Sequence, residues 1–156
     1  MKHVEIKYLS DCPEFIPVVV DWIYKEFIED IRFGISNNQV SDSYSICYKN
    51  KLPVRLIAIS DDVCVGTVSL VNNDLKSRNY TPWLAALYVD PTFRGNKIAE
   101  LLICRIKEIA IEMGYKELFL RTEFAADYYK KRNWDFVESC VDEFNLTTEV
   151  FKVDFI

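Results

Sequence analysis

An α+β fold with a mixed sheet follows from three observations on this sequence. Two β-branched runs, residues 54–59 and 63–71, flank Ser60-Asp61-Asp62 and read as a hairpin. The uncharged run Trp83 to Val89 reads as a strand buried on both faces, and from Lys97 to Met113 the period lengthens to that of an amphipathic helix. Beyond Gly114, strand-like segments at Lys116–Arg121, Trp134–Val141 and Thr147–Phe155 surround a short helical one at about Phe124–Arg132. No internal repeat, linker or low-complexity stretch interrupts this order, so residues 1–156 are expected to form a single domain.

At the N-terminal end His3 to Leu9 alternates as a strand should, and Asp11-Cys12-Pro13-Glu14 carries helix-start chemistry. Phe15, Val19, Trp22, Ile23, Phe27 and Ile31 then fall on one side of a first helix that Gly34 is placed to end. Propensity disfavours a helix through Val18-Val19-Val20, but the wider periodicity predicts one. A second, shorter helix is expected over Ser41–Asn50, and Asn72 to Pro82 reads as a polar loop.

Composition narrows the function classes. Half of the 156 residues are hydrophobic and 14% are aromatic, enough to fill a core, so the chain is globular rather than disordered. Five cysteines, odd in number and without a C-x-x-C pair, sit mostly in apolar runs and read as buried thiols in a reducing compartment. With His3 the one histidine, a Cys/His metal site is not expected. MKHVEIKYLS lacks an apolar core of signal-peptide length, and no uncharged run reaches the roughly 20 residues of a membrane span, which predicts a soluble, cytoplasmic protein. The net charge of −5 weighs against nucleic acid, despite Arg94, Lys97, Arg105 and Lys130-Lys131-Arg132, and suits a cationic partner such as an amine.

The stretch from Thr81 to Met113 organises the rest. Asp90-Pro91 turns the chain after the central strand, Arg94 and Gly95 lie in a short basic loop, and the long helix follows with Ile98, Leu101, Leu102, Ile106, Ile109, Ala110 and Met113 at helical spacing. A helix start leaves unpaired N–H groups and a partial positive charge, so such a loop suits a phosphate; any strand-turn-helix also needs some corner of this kind. Neither G-x-x-x-x-G-K-[ST] nor a dinucleotide fingerprint can be written onto a chain with four glycines.

LYVDPTFRGNKIAELL resembles motif A of the GNAT-type N-acetyltransferases, a strand, then [QR]-x-x-G-x-[GA], then a helix, whose loop amides hold the pyrophosphate of acetyl-CoA. Arg94 matches the first position and Ala99 the last, while Lys97 stands where the family usually has Gly. Either the Lys97 amide is less available than a glycine's, or its ammonium contacts phosphate as a point charge. AADYYKKRNWDF resembles the family's second signature, A-x-x-[LF]-Y-x-x-x-G-[FW], with Tyr129 on the tyrosine, Tyr128 on the preceding apolar position, Trp134 on the final aromatic and Asn133 replacing Gly. Asn tolerates positive φ next best, so that change is mild.

The resemblance covers roughly residues 63–140 and implies a GNAT-like acyl-CoA N-acyltransferase fold, a mixed, mostly antiparallel central sheet flanked by helices. It implies acetyl-CoA as cosubstrate, bound by Leu87, Tyr88 and Val89 of the central strand, which splays from its neighbour at Leu118–Arg121, and by Arg94, Gly95, Asn96, Lys97, Ile98 and Ala99 of the corner. The acceptor it implies is a small-molecule or peptide amine, walled in part by Trp22, Tyr24, Phe27 and Tyr44, with neither nucleic acid nor membrane as partner and a monomer or homodimer as the assembly. A neutral amine attacks a thioester carbonyl, an oxyanion develops on a fixed N–H donor, and a thiolate leaves. Tyr129 is the expected general acid to that thiolate, with a packing role as its alternative, and Glu123 is the expected base, with a helix-capping role or a water relay as alternatives. A non-catalytic acyl-CoA-binding module, with Lys97 and Asn133 as marks of drift, is the competing class.

Overall fold

The computed structural model describes residues 3–156. Seven strands form one sheet in the order β1-β2-β3-β4-β5-β7-β6: β1 Glu5–Tyr8, β2 Val54–Ser60, β3 Val63–Val71, β4 Trp83–Val89, β5 Glu117–Thr122, β6 Asp135–Val141 and β7 Thr147–Asp154. Every neighbouring pair is antiparallel except β4 and β5. The expected mixed, mostly antiparallel sheet flanked by helices is therefore present. The β2–β3 hairpin turns on Asp61 and Asp62, both at positive φ (50° and 64°), the conformation that matches the twist of the flanking strands.

Four α-helices cover the described sheet: α1 Ile16–Ile23, α2 Asn37–Tyr44, α3 Ile98–Glu112 and α4 Ala126–Lys130. On one face α3 buries Ile98, Leu102, Ile106 and Ile109 against Val54, Leu56, Val68 and Leu118, with Tyr129, Trp134 and Phe151 in the same cluster. On the other, Val19, Val20 and Ile23 of α1 and Val40 and Tyr44 of α2 close over Ile57 and Cys64. Alternation along β2 divides its side chains between the two layers, which is the period-2 signature of a strand at the middle of a sandwich of helices.

Several expectations shift. The first helix opens with a 3-10 turn at Pro13–Phe15 and ends at Ile23, after which Tyr24–Ile28 forms a π-turn. Asp11 does not cap it; its carboxylate meets Lys49 at 2.7 Å. The second helix starts at Asn37, four residues before the expected start at Ser41, because Ser36 and Gln39 form a reciprocal capping box whose polar first turn carries no apolar period to read. On α3 Leu101 is exposed and Ile103 takes the buried place. Of the five free cysteines only Cys12 and Cys64 are buried, and Cys104 faces outward from α3.

One close approach limits the sheet's packing on α3. A Cβ built on Gly66 of β3 would stand 3.1 Å from the Tyr88 carbonyl oxygen, 3.2 Å from Leu102 and 3.3 Å from Ile98. A Gly66→Val protein is expected to lose about 1–3 kcal/mol in urea unfolding, the cost of forcing methyl groups into a filled core. An unchanged midpoint would show that α3 moves away freely.

Candidate active site

The cleft that gathers the predicted residues exists because β4 and β5 barely pair. Their single bridge is Trp83↔Phe119, next to a Phe119 N–H donated to the Pro82 carbonyl at 3.0 Å. Trp83, Phe119, Val150 and Leu75 bury one another there, and Tyr80 stacks on Phe119 with ring centroids 4.8 Å apart. Beyond the bridge β4 is bulged: its register with β3 slips between Thr67 and Ser69, and Ala86 sits at φ 54°, a left-handed conformation costing a non-glycine residue about 1–2 kcal/mol. The strands diverge and a cleft of about 1320 Å³ opens between them.

Leu87, Tyr88 and Val89 line the cleft, and so do Arg94, Gly95, Lys97, Ile98 and Ala99 of the corner after β4. Asn96 does not; its amide holds the Phe93 carbonyl at 3.0 Å and shapes the loop from behind. Asp90 fixes the turn by accepting from the Thr92 N–H (2.9 Å) and hydroxyl (2.8 Å). Gly95 lies at φ 87° with open space where a Cβ would be, and Lys97 enters α3 at φ 63°, so the position filled by Lys has the backbone that favours glycine. No side chain caps α3, which leaves its first-turn amides facing outward with the positive end of the helix dipole behind them. Arg94 curls back: its Nε donates to the Val89 carbonyl at 2.9 Å and its guanidinium lies 5.4 Å from the Tyr88 ring.

Tyr129 of α4 also reaches the cleft, 8% exposed and edge-on to Tyr128 and Trp134. Among the described residues no group hydrogen-bonds its hydroxyl. Burial, reinforced by Tyr128, pushes the phenol up to about 12 against the opposing effect of Arg132, so it holds its proton at any neutral pH. Asn133 lies at φ 66°, as a stand-in for glycine should. Tyr128, the neighbouring phenol, lies under the Arg132 guanidinium at 3.6 Å.

The other end of the cleft is built from ion pairs that sequence reasoning missed. Arg32 meets Glu123 at 3.3 Å and Asp142 at 3.6 Å; Arg121 meets Asp142 at 3.1 Å and Asp74 at 3.4 Å. Glu123 accepts from the Thr148 hydroxyl at 2.8 Å as well, and it is Thr122, not Glu123, whose side chain receives the Ala125 N–H that opens α4. Burial pushes Asp142 up, but the Leu146 and Phe144 amides and Arg121 outweigh it and hold the carboxyl below its usual range. Burial raises Asp74 to about 6 although Arg121 and Arg32 oppose it. Of the four aromatics expected to wall this end, Phe27 and Tyr44 line it; Trp22 packs on Tyr88 at 5.3 Å, and Tyr24 turns into the α1 layer. The charges come from four separate stretches of chain, so no local spacing marks them.

Among the described residues no cluster of three metal-binding side chains exists, and no helix is long and apolar enough to cross a membrane. Residues 19–134 match the model of the acetyltransferase (GNAT) family. Among solved structures the chain is similar to an acetyltransferase from Streptococcus agalactiae 2603 (TM-score 0.73, 20% identity, covering 99% of this chain and 100% of that one). It is similar also to an aminoglycoside 6'-N-acetyltransferase complexed with coenzyme A (0.76, 14%, covering 97% of each) and to an acetyltransferase of the GNAT family from Staphylococcus aureus Mu50 (0.73, 16%, 99% and 100%). No curated protein matches it in sequence.

Arg121, with its side chain 7% exposed, faces an Asp142 side chain that is wholly buried. Removing one partner of such a pair typically costs about 3–5 kcal/mol, so Arg121→Met is expected to lower unfolding stability by roughly 3 kcal/mol at neutral pH. A carboxyl depressed in the folded state contributes stability above its unfolded pKa and loses it as pH falls through the folded value. The deficit of Arg121→Met should therefore shrink in acid, because Arg121 is one of the groups that hold Asp142 down, and a pH-independent deficit in urea titrations would assign it to packing instead.

Proposed function

This chain belongs to the acetyltransferase (GNAT) family, and from that premise we propose that it moves the acetyl group of acetyl-CoA to a primary amine of a small molecule or peptide. The observation that carries this reading is an uncapped helix start with a left-handed entry, set beside a sheet whose two central strands have parted. The corner fits a pyrophosphate: the open space at Gly95 lets phosphate oxygens approach the backbone, the first α3 amides donate, and Arg94 and Lys97 supply charge.

Acetyl-CoA supplies a thioester, and the reaction forms an N–C bond while the C–S bond breaks. Backbone at Leu87, Tyr88 and Val89, released from pairing with β5, is the source of the N–H donor for the carbonyl oxygen, a contribution of about 3–4 kcal/mol where such donors have been removed. Tyr129 is assigned as general acid to the leaving thiolate, since its hydroxyl is uncommitted and protonated. Glu123 is assigned as base to the attacking ammonium, directly or through a water; its ties to Arg32 and Thr148 fix its position.

Two measurements test the reading. Acetyl-CoA at about 100 times its dissociation constant should add roughly 2.7 kcal/mol of stability in a thermal melt. Lys97→Glu should weaken that effect far more than Lys97→Gly, and equal effects would mean that the corner works through backbone alone. Tyr129→Phe should leave folding and cofactor affinity nearly unchanged and lower turnover by about 10²-fold, read as thiol release against a panel of amines. Tyr128→Phe serves as the control, and similar rates for the two variants would remove Tyr129 from the chemistry. Cofactor binding without any thiol release by the wild-type protein would favour the binding-module alternative.

A further inference from the structure

Arg55 of β2 is 7% exposed, lines the cleft, and takes no part in the ion-pair cluster around Arg32. Its Nη1 donates to the Ser69 hydroxyl at 2.9 Å, its Nη2 reaches the Ser43 carbonyl and hydroxyl at 3.4 Å each, and its Nε has no partner. The guanidinium carbon lies over the Tyr44 ring, 3.9 Å from its centroid. Among the described residues no carboxylate comes within 4.0 Å of it. A buried cation held only by hydroxyls, one carbonyl and an aromatic face is incompletely compensated, and charges in protein interiors are ordinarily paired.

The register shows where that charge is aimed. Arg55 stands opposite Ser69 on β3, and Ser69 opposite Ala85 on β4, so a row crosses three strands on the face covered by α2 and ends on the strand that lines the cleft. Strands are about 4.8 Å apart, which sets Arg55 roughly 10 Å across the sheet from β4. Nearby carboxylates Glu26, Asp74, Glu123 and Glu143 line the same cleft and suit an ammonium. A cleft end with both signs of charge fits a zwitterion better than a polycation.

We propose that the acceptor is an amine that also carries a carboxylate, which Arg55 binds several bonds away from the reacting nitrogen. This rests on the acetyl-transfer reading for the word acceptor, but binding tests it separately. The alternative role, in which Arg55 merely pins α2 to the sheet through Ser43, predicts no preference for carboxylates.

The experiment is calorimetric titration of the protein, with coenzyme A present, by ω-amino acids of graded length and by the corresponding amides, in which the carboxylate is neutralised at nearly constant shape. The carboxylate member of at least one pair should bind about tenfold or more tightly, the usual worth of a hydrogen bond to a charged group. Arg55→Gln should abolish that preference, and Arg55→Lys should retain part of it; if Arg55→Gln fails to fold, the wild-type and Arg55→Lys comparison decides. Equal affinities within every pair, no binding of any pair, or a preference that survives Arg55→Gln would each overturn the assignment. Carboxylate preference without thiol release would sink acetyl transfer and leave this inference standing, whereas turnover of amines indifferent to a carboxylate would do the reverse.

Discussion

β4 and β5 share one bridge, Trp83 to Phe119, and then part, because an aromatic cluster pins one end while the left-handed Ala86 bends β4 away beyond it. Everything at the cleft depends on that parting. It frees the edge of β4 near Leu87, gives Tyr129 a surface to face, and leaves room between the strands for a ligand as long as a nucleotide-bearing thioester. The strain at Ala86 is small beside the burial of Trp83 and Phe119, each of which removes far more apolar area from water than one dihedral costs.

The two ends of the cleft are stabilised differently. At the corner, backbone dominates: Gly95 and Lys97 in left-handed conformations and an uncapped α3, with donors left open for a ligand. At the opposite end side chains dominate, and Arg32, Arg121, Asp142, Glu123 and Asp74 satisfy one another. The first arrangement leaves its backbone donors unpaired, and the second satisfies its charges within the protein.

Most of the strand order and the corner were legible because their signals are local. The β2–β3 hairpin, the uncharged β4 and the period of α3 each fit within a short window, and Asn133 and Lys97 could be read as glycine substitutes from motif position alone. Leu101 was placed on the buried side and Ile103 left out because the run Leu101-Leu102-Ile103-Cys104 holds no polar residue to mark the edge of the apolar face. α2 was displaced because its start is written in a capping box rather than in hydrophobicity. Arg55 was invisible inside a β-branched run, and the Arg32 cluster depends on the register of β5, β6 and β7, which no spacing in one segment encodes.

The Arg32 to Glu123 contact joins residues 91 positions apart, and Thr148 and Asp142 lie further along still. The corner between β4 and α3 needs only adjacent segments and their packing on β3. As the chain leaves the ribosome, therefore, the corner after β4 is in hand well before the acidic and basic groups opposite it can meet. Loop-closure entropy points the same way, since distant contacts form after local ones. A nascent chain stopped before β7 would carry the half of the cleft that is built from backbone and lack the half that is built from paired side chains.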